Sequence, residues 1–112
     1  MKKDIYDLIK DKNEHVSFAQ MQKYIPGFEG EYSFGKGEYN IWFWFNCSWE
    51  ATIALKSLMG KGKIHIHPTE ALVYYVDGLV PDVPIATSDR NYKEERWLPV
   101  TICTYPWEEQ GI

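Results

Sequence analysis

At 112 residues, with 45 % hydrophobic and 25 % charged side chains, the chain is one domain's worth of sequence. It is long enough for a core without disulfide staples and too apolar for wholesale disorder. The net charge of −4 weighs against nucleic acid as the main partner, because affinity for phosphate needs clustered Lys and Arg.

No apolar run reaches the roughly 18 residues of a membrane-spanning helix. Met1-Lys2-Lys3-Asp4 starts without the apolar stretch of a signal peptide. The expectation is a soluble, cytoplasmic protein with no membrane partner. Cys47 and Cys103 are too few for a disulfide framework and in a reducing compartment should be buried thiols. Aromatic residues are in excess at 16 %, with five Trp and eight Tyr. Such rings bury large areas and carry a polar handle, which suits a tightly packed sheet or a contact surface.

In chain order, Ile5, Leu8 and Ile9 have helical spacing over residues 4–12, with Asp4 as the expected N-cap. Ser17 and Gln20 form a capping box, and Val16 and Met21 occupy the positions of a hydrophobic staple. That second helix must stop before Pro26-Gly27, after about two turns. Glu31 to Phe34, Gly35-Lys36-Gly37 and Glu38 to Phe45 read as a hairpin. Tyr39, Ile41, Phe43 and Phe45 point to one face of its second strand, and Asn40, Trp42, Trp44 and Asn46 to the other. Both faces are apolar, so the strand should be central and covered on both sides, with a second subunit as one conceivable cover.

Ser48 caps a third helix that runs to Met59 and ends at Gly60 or Gly62. Its expected buried stripe is Ile53, Leu55, Leu58 and Met59, with Trp49 at its mouth. Lys63 to Val76 reads as a second hairpin, turning at His67-Pro68-Thr69-Glu70. Beyond Gly78 the chain is extended, spaced by Pro81 and Pro84. Residues 89–96 are charged and exposed, and a last strand from Leu98 to Tyr105 leads to an acidic tail. The predicted architecture is α+β: two N-terminal helices, then an antiparallel sheet of four or five strands with the helix at about 48–59 packed on it.

Four groups of residues invite a functional reading. His65-x-His67 on a strand shares a face and offers two metal ligands, with Glu70, Asp77 or His15 as a third. Two ligands make no site, so no metal is assigned; the plain alternative has Ile64 and Ile66 in the core and both histidines in water. Cys47 precedes a helix N-terminus, where backbone N–H groups and the dipole favour a thiolate. The helix carries the chain roughly 16 Å away at 1.5 Å per residue, and an antiparallel return would bring His67 closest to Cys47. Asn46, Asn40 or Glu70 would orient the imidazole. The strand–Cys–helix–strand–His order over residues 41–67 resembles papain-type thiol hydrolases, and the resemblance implies Cys47 as nucleophile and His67 as base. The plain alternative is a buried thiol.

Lys56, Lys61, Lys63, His65 and His67 gather positive charge with no intervening acid. A helix at 48–59 followed by a hairpin at 63–76 is similar to what winged-helix proteins present to DNA. Lys56, Ser57 and Lys61 would meet phosphate, and Thr52 or Glu50 base edges. Against this stand the acidic total charge, Glu50, and more than twenty residues separating the helix at 18–24 from the one at 49–59. Gly60-Lys61-Gly62-Lys63 fails the phosphate-loop pattern and is rejected. Finally, Trp42 and Trp44 could line a groove or pack in the core. Tyr92, Trp97, Tyr105 and Trp107, beside Arg90, Lys93 and Arg96, have the composition of binding hot spots.

The leading expectation is a small non-enzymatic binding protein. It acts by protein–protein contact or self-association through Trp42, Trp44, Arg90, Tyr92, Arg96 and Trp97, with no cofactor and no catalytic residue. The DNA-binding module is the alternative, and the Cys47–His67 thiol enzyme the third reading.

Overall fold

The computed structural model describes residues 1–12, 15–87 and 90–105. Trp107 and the acidic tail lie outside them. The fold is α+β, but the described strands form two three-stranded sheets rather than one antiparallel sheet of four or five.

Helix α1 spans Lys2–Asp11 and buries Ile5 and Ile9. Asp4 is not its N-cap: Met1 holds that place, and Asp4 lies in the first turn. There its carboxylate favours the positive end of the helix dipole and stands 3.6 Å from the terminal amine. Strand β1 (Val16–Ser17) runs directly into α2 (Phe18–Tyr24), and the predicted capping box is formed. Gln20 N–H donates to Ser17 Oγ at 3.1 Å, and Ser17 N–H donates back to Gln20 Oε1 at 3.2 Å. Val16 and Met21, at the staple positions, are both sealed from solvent.

Strands β2 (Glu29–Lys36) and β3 (Ile41–Cys47) form the predicted hairpin, joined by a 3₁₀ turn at Gly37–Tyr39. Asn40 closes that turn at φ 57°, a left-handed conformation that Asn tolerates better than most residues. Strand β3 is central, as its two apolar faces required. It pairs antiparallel with β2 and parallel with β5 (Arg96–Trp97), with Ile41 opposite Arg96 and Trp42 opposite Trp97. Helix α3 (Trp49–Gly60) is capped by Ser48, whose Oγ accepts from Ala51 N–H at 3.0 Å. Its buried face is Ala51, Thr52, Ala54, Leu55 and Leu58; Leu55 and Leu58 are buried as predicted, Met59 is partly buried, and Ile53 is not part of the stripe. Ile53 and Trp49 face outward. Small residues at 51 and 54 let the helix sit close to the sheet, so the bulky Ile53 falls on the solvent side.

The second sheet has the order β1–β6–β4, with β4 at His65–Pro68 and β6 at Val100–Cys103. The expected strand at 98–105 is divided because Pro99 has no N–H for a ladder. Leu98 N–H instead donates to Trp42 O in the first sheet, and Pro99 O accepts from Thr69 N–H. Residues 97–100 thereby stitch the two sheets together.

The largest departure is at residues 63–76, where no hairpin forms. After β4 the chain turns into helix α4 (Leu72–Asp77), stopped by Gly78 at φ +86°. A helix wins because it drives the Tyr74 ring into the core against Trp44 and Trp97. There the Tyr74 hydroxyl accepts from Phe18 N–H at 3.0 Å and donates to Val100 O at 2.6 Å. Burial pushes the Tyr74 hydroxyl pKa up, so it stays a donor. Among the described residues no helix is long and apolar enough to cross a membrane.

Candidate functional site

Six residues are too few for a helix to persist on its own, so α4 depends on its contacts. Its inward side supplies Tyr74 and an acid, Asp77, whose Oδ2 accepts from Ser17 Oγ–H at 2.6 Å. Lys23 Nζ donates to the Asp77 carbonyl. The outward side is the unusual one. Leu72, Tyr75 and Val76 stand at i, i+3 and i+4, hence on one helical face, and are 63 %, 65 % and 78 % exposed. An amphipathic helix normally turns such a stripe to the core. Here Tyr74, with Val73 partly buried beside it, faces the core and the three-residue stripe faces water.

A hollow flanks this ridge on each side. One, of about 720 Å³, is lined by Pro68, Leu72, Val73 and Val76, with Glu70 and Asp77 among its walls. The other, of about 460 Å³, lies between Tyr75 and the extended segment carrying Val80, Val83 and Ile85, beside Asp82. Acids predominate here: residues 64–87 contain Glu70, Asp77 and Asp82 and no Lys or Arg, and Lys23 reaches only the Asp77 carbonyl at the helix end. Contiguous exposed apolar surface rimmed by charge is characteristic of a protein-contact site.

The residues expected to form an aromatic contact surface are placed differently. Trp44, Tyr92 and Trp97 are buried, and Trp42 is half-buried. Trp44 stacks between Phe18 and Tyr74, and its indole N–H donates to Gln22 Oε1 at 3.0 Å. Arg90, which is exposed, and Arg96, which is half-buried, hold their guanidinium groups 5.0 Å and 4.8 Å from the Tyr92 ring centroid. Tyr92 N–H donates to Tyr39 O, and Asn40 Nδ2–H donates to Tyr92 O. This Arg–Tyr–Arg cluster therefore fastens residues 90–96 to the β2–β3 turn. Packing consumes Phe18, Phe28, Phe34, Phe43, Trp44, Tyr74, Tyr92 and Trp97, while Tyr24, Tyr32, Tyr39, Trp49, Tyr75 and Tyr105 stay exposed.

The thiol–imidazole expectation needs a change of partner. Cys47 is sealed, and desolvation pushes its pKa from 9.0 up to about 12, the reverse of an activated nucleophile. It belongs to the β2–β3–β5 sheet, whereas His67 belongs to the other. The sulfur at His67 is that of Cys103, 2.7 Å from Nε2. Cross-strand register explains the encounter. His65 lies opposite Cys103, and His67 opposite Thr101, which in turn faces Ser17 of β1. All five share one sheet face. The Tyr105 carbonyl accepts from Cys103 Sγ–H at 3.0 Å and lies 3.2 Å from His67 Nε2. The Tyr105 hydroxyl is 2.7 Å from His15 Nε2. His67 is therefore buried, not water-facing as expected, while His65 is half-exposed. Cys103 is fully covered, so this cluster is a polar clasp between β4 and the end of β6. Alternation in residues 98–105 places Thr101, Cys103 and Tyr105 on one face, a signal that could have flagged Cys103. Among the described residues, no group of three or more His, Cys, Asp or Glu side chains is arranged to hold a metal ion.

Lys56, Lys61 and Lys63 are exposed, with Lys61 and Lys63 on either side of Gly62 at φ +70°. With α4 in place of a second hairpin strand, the wing of a winged helix is absent. No family model, no curated protein and no solved structure matches this chain.

Proposed function

We propose that this is a non-enzymatic protein-binding domain whose contact surface is the outward ridge of α4. The observation that carries the reading is the exposure of Leu72, Tyr75 and Val76 side by side between two hollows. The occupant it fits is an amphipathic segment of another protein, with apolar side chains for the hollows and Lys or Arg at its margins. Glu70, Asp77 and Asp82 set that charge preference. Two copies meeting symmetrically would bring these acids against each other, which disfavours self-association.

Magnitudes set the strength. Burying three such side chains contributes about 1.5–3 kcal/mol each, against an association cost of at least about 4 kcal/mol. The apolar ridge alone therefore gives weak binding, and the acidic rim must supply both selectivity and the remaining affinity.

The test uses a synthetic helix with a leucine stripe flanked by lysines, and a counterpart flanked by glutamates. Fluorescence anisotropy should show micromolar binding of the basic peptide, weakened by salt, and little binding of the acidic one. The Leu72→Asp/Val76→Asp double variant should lose binding while its thermal melt stays in place. Equal binding of both peptides, or undiminished binding by the variant, would overturn the proposal. So would light scattering that finds a wild-type dimer dispersed by the same substitutions.

A further inference from the structure

A third hollow, sharing no residue with the α4 ridge, lies between β2 and α3. It measures about 290 Å³ and is lined among others by Tyr32, Phe34, Trp42, Trp49, Thr52 and Lys56. Trp49, Thr52 and Lys56 reach it together because positions i, i+3 and i+7 share a face of α3. Tyr32 and Trp49 form an aromatic pair at its mouth, ring centroids 5.1 Å apart and tilted by 54°. Both rings stay about half exposed, at 49 % and 56 %, so each offers an uncovered face.

One polar feature marks the hollow as more than a gap. Lys56 is the one charged residue in its lining. It is exposed, and neither described ion pair of the chain involves it. Trp42 also lines the hollow; its indole N–H is itself shut off from solvent and has no acceptor among the described residues, a state shared by Trp97 Nε1 and Arg96 Nε.

We propose that this hollow binds a small planar aromatic anion. Its ring lies against Trp49 and Tyr32, beside the Trp42 side chain, and its acid group faces Lys56. Size narrows the class. The volume sits at the lower edge of the roughly 300–1,000 Å³ of ligand pockets, which admits a one- or two-ring acid and excludes larger cofactors. A single cation matches a single carboxylate.

The probe is 2-naphthoate, with naphthalene-2-carboxamide as its uncharged counterpart. Titration followed by the five indole N–H signals in a ¹⁵N correlation spectrum reads the site directly, because Trp42→Phe and Trp49→Ala assign the relevant two among the five Trp. Naphthoate should move the Trp42 and Trp49 signals more than the other three and bind about tenfold more tightly than the carboxamide, the scale of one charge-assisted contact. Lys56→Ala, an exposed substitution that leaves the fold intact, should remove that tenfold preference. Trp49→Ala should weaken both probes. Equal affinity for the two probes, no effect of Lys56→Ala, or an unmoved Trp42 signal would overturn the assignment. Binding of adenosine monophosphate without binding of naphthoate would do so as well, by pointing to a nucleotide. None of these readouts depends on α4, so the α4 proposal can fail without affecting this one.

Discussion

Ile41 to Phe45 and Leu72 to Val76 are both runs of five consecutive apolar residues, yet they have opposite fates. The first is a central strand with β2 on one side and β5 on the other, and Ile41, Phe43 and Trp44 are buried. The second is a six-residue helix with Tyr74 as its buried residue, leaving three large apolar side chains in water. Apolar density is the same; what differs is how many elements close over it. Burial belongs to the arrangement of neighbours, and a run without enough neighbours within its own chain stays in water.

The most forceful test of this contrast compares one ring from each side. Trp97 is sealed, pairs with Trp42 across β3–β5, and packs edge-on to Tyr74 at 5.0 Å. Trp97→Ala should lower the unfolding free energy by about 3–5 kcal/mol in urea titrations. Tyr75→Ala, next in sequence to Tyr74 but on the outer face, should change it by less than about 0.5 kcal/mol. Similar losses for the two would mean that the α4 ridge is part of the core, and the comparison would collapse.

How much of this was legible in the residues follows from the range of the interactions. The capping box at Ser17 and Gln20, the Ser48 cap and the stop before Pro26 are set within a few residues, and each is found where the sequence puts it; the β2–β3 hairpin also forms, but its turn lies at Gly37–Tyr39 rather than at residues 35–37. Leu72 to Val76 could not be read locally, because five apolar residues in a row satisfy a strand period and a helical period alike. The choice was made by Tyr74 reaching Phe18 and Val100, which are 56 and 26 positions away. The same holds for His67. Estimating its position from helix rise and strand length assumed that β4 returns beside β3, whereas it pairs with β6 and meets Cys103 instead. Strand order between distant segments leaves no local trace. The outward ridge itself was missed because aromatic count, rather than the pattern of cover, suggested where a contact surface would be.

A smaller effect sharpens the buried side of the comparison through pH. Cys47, at the end of β3, has its thiol pKa raised to about 12 by desolvation. In the unfolded chain the thiol ionises near its ordinary value of 9.0. Between those values the unfolded state releases a proton that the folded state keeps, so stability is intact below about pH 9 and falls as pH rises above it. The slope is on the order of 1 kcal/mol per pH unit. Tyr74 adds to the fall above about pH 10 for the same reason. Urea midpoints between pH 8 and pH 10 should decline in the wild type and decline less in Cys47→Ala. An identical slope in the two would mean that Cys47 is solvated, and that β3 is not closed at this end.

A final effect, comparable in size, concerns what holds α4 at all. Ser17 serves two elements: its Oγ accepts from Gln20 N–H to cap α2 and donates to Asp77 at the end of α4. Ser17→Ala should therefore cost about 1–2 kcal/mol overall, the range of an N-cap together with one hydrogen bond. Asp77→Ala leaves the cap intact and should cost about 1 kcal/mol. The informative readout is local. In both variants amide exchange in residues 73–78 should accelerate, whereas α2 should lose protection in Ser17→Ala alone. Because α4 is too short to persist unaided and shows its apolar stripe to water, its inward contacts must offset the whole cost of ordering it. A bond to a neighbouring helix cap then matters more than its modest energy suggests. If exchange in α4 were unchanged by both substitutions, Tyr74 alone would suffice to hold the helix, and the ridge would be a rigid platform independent of α2.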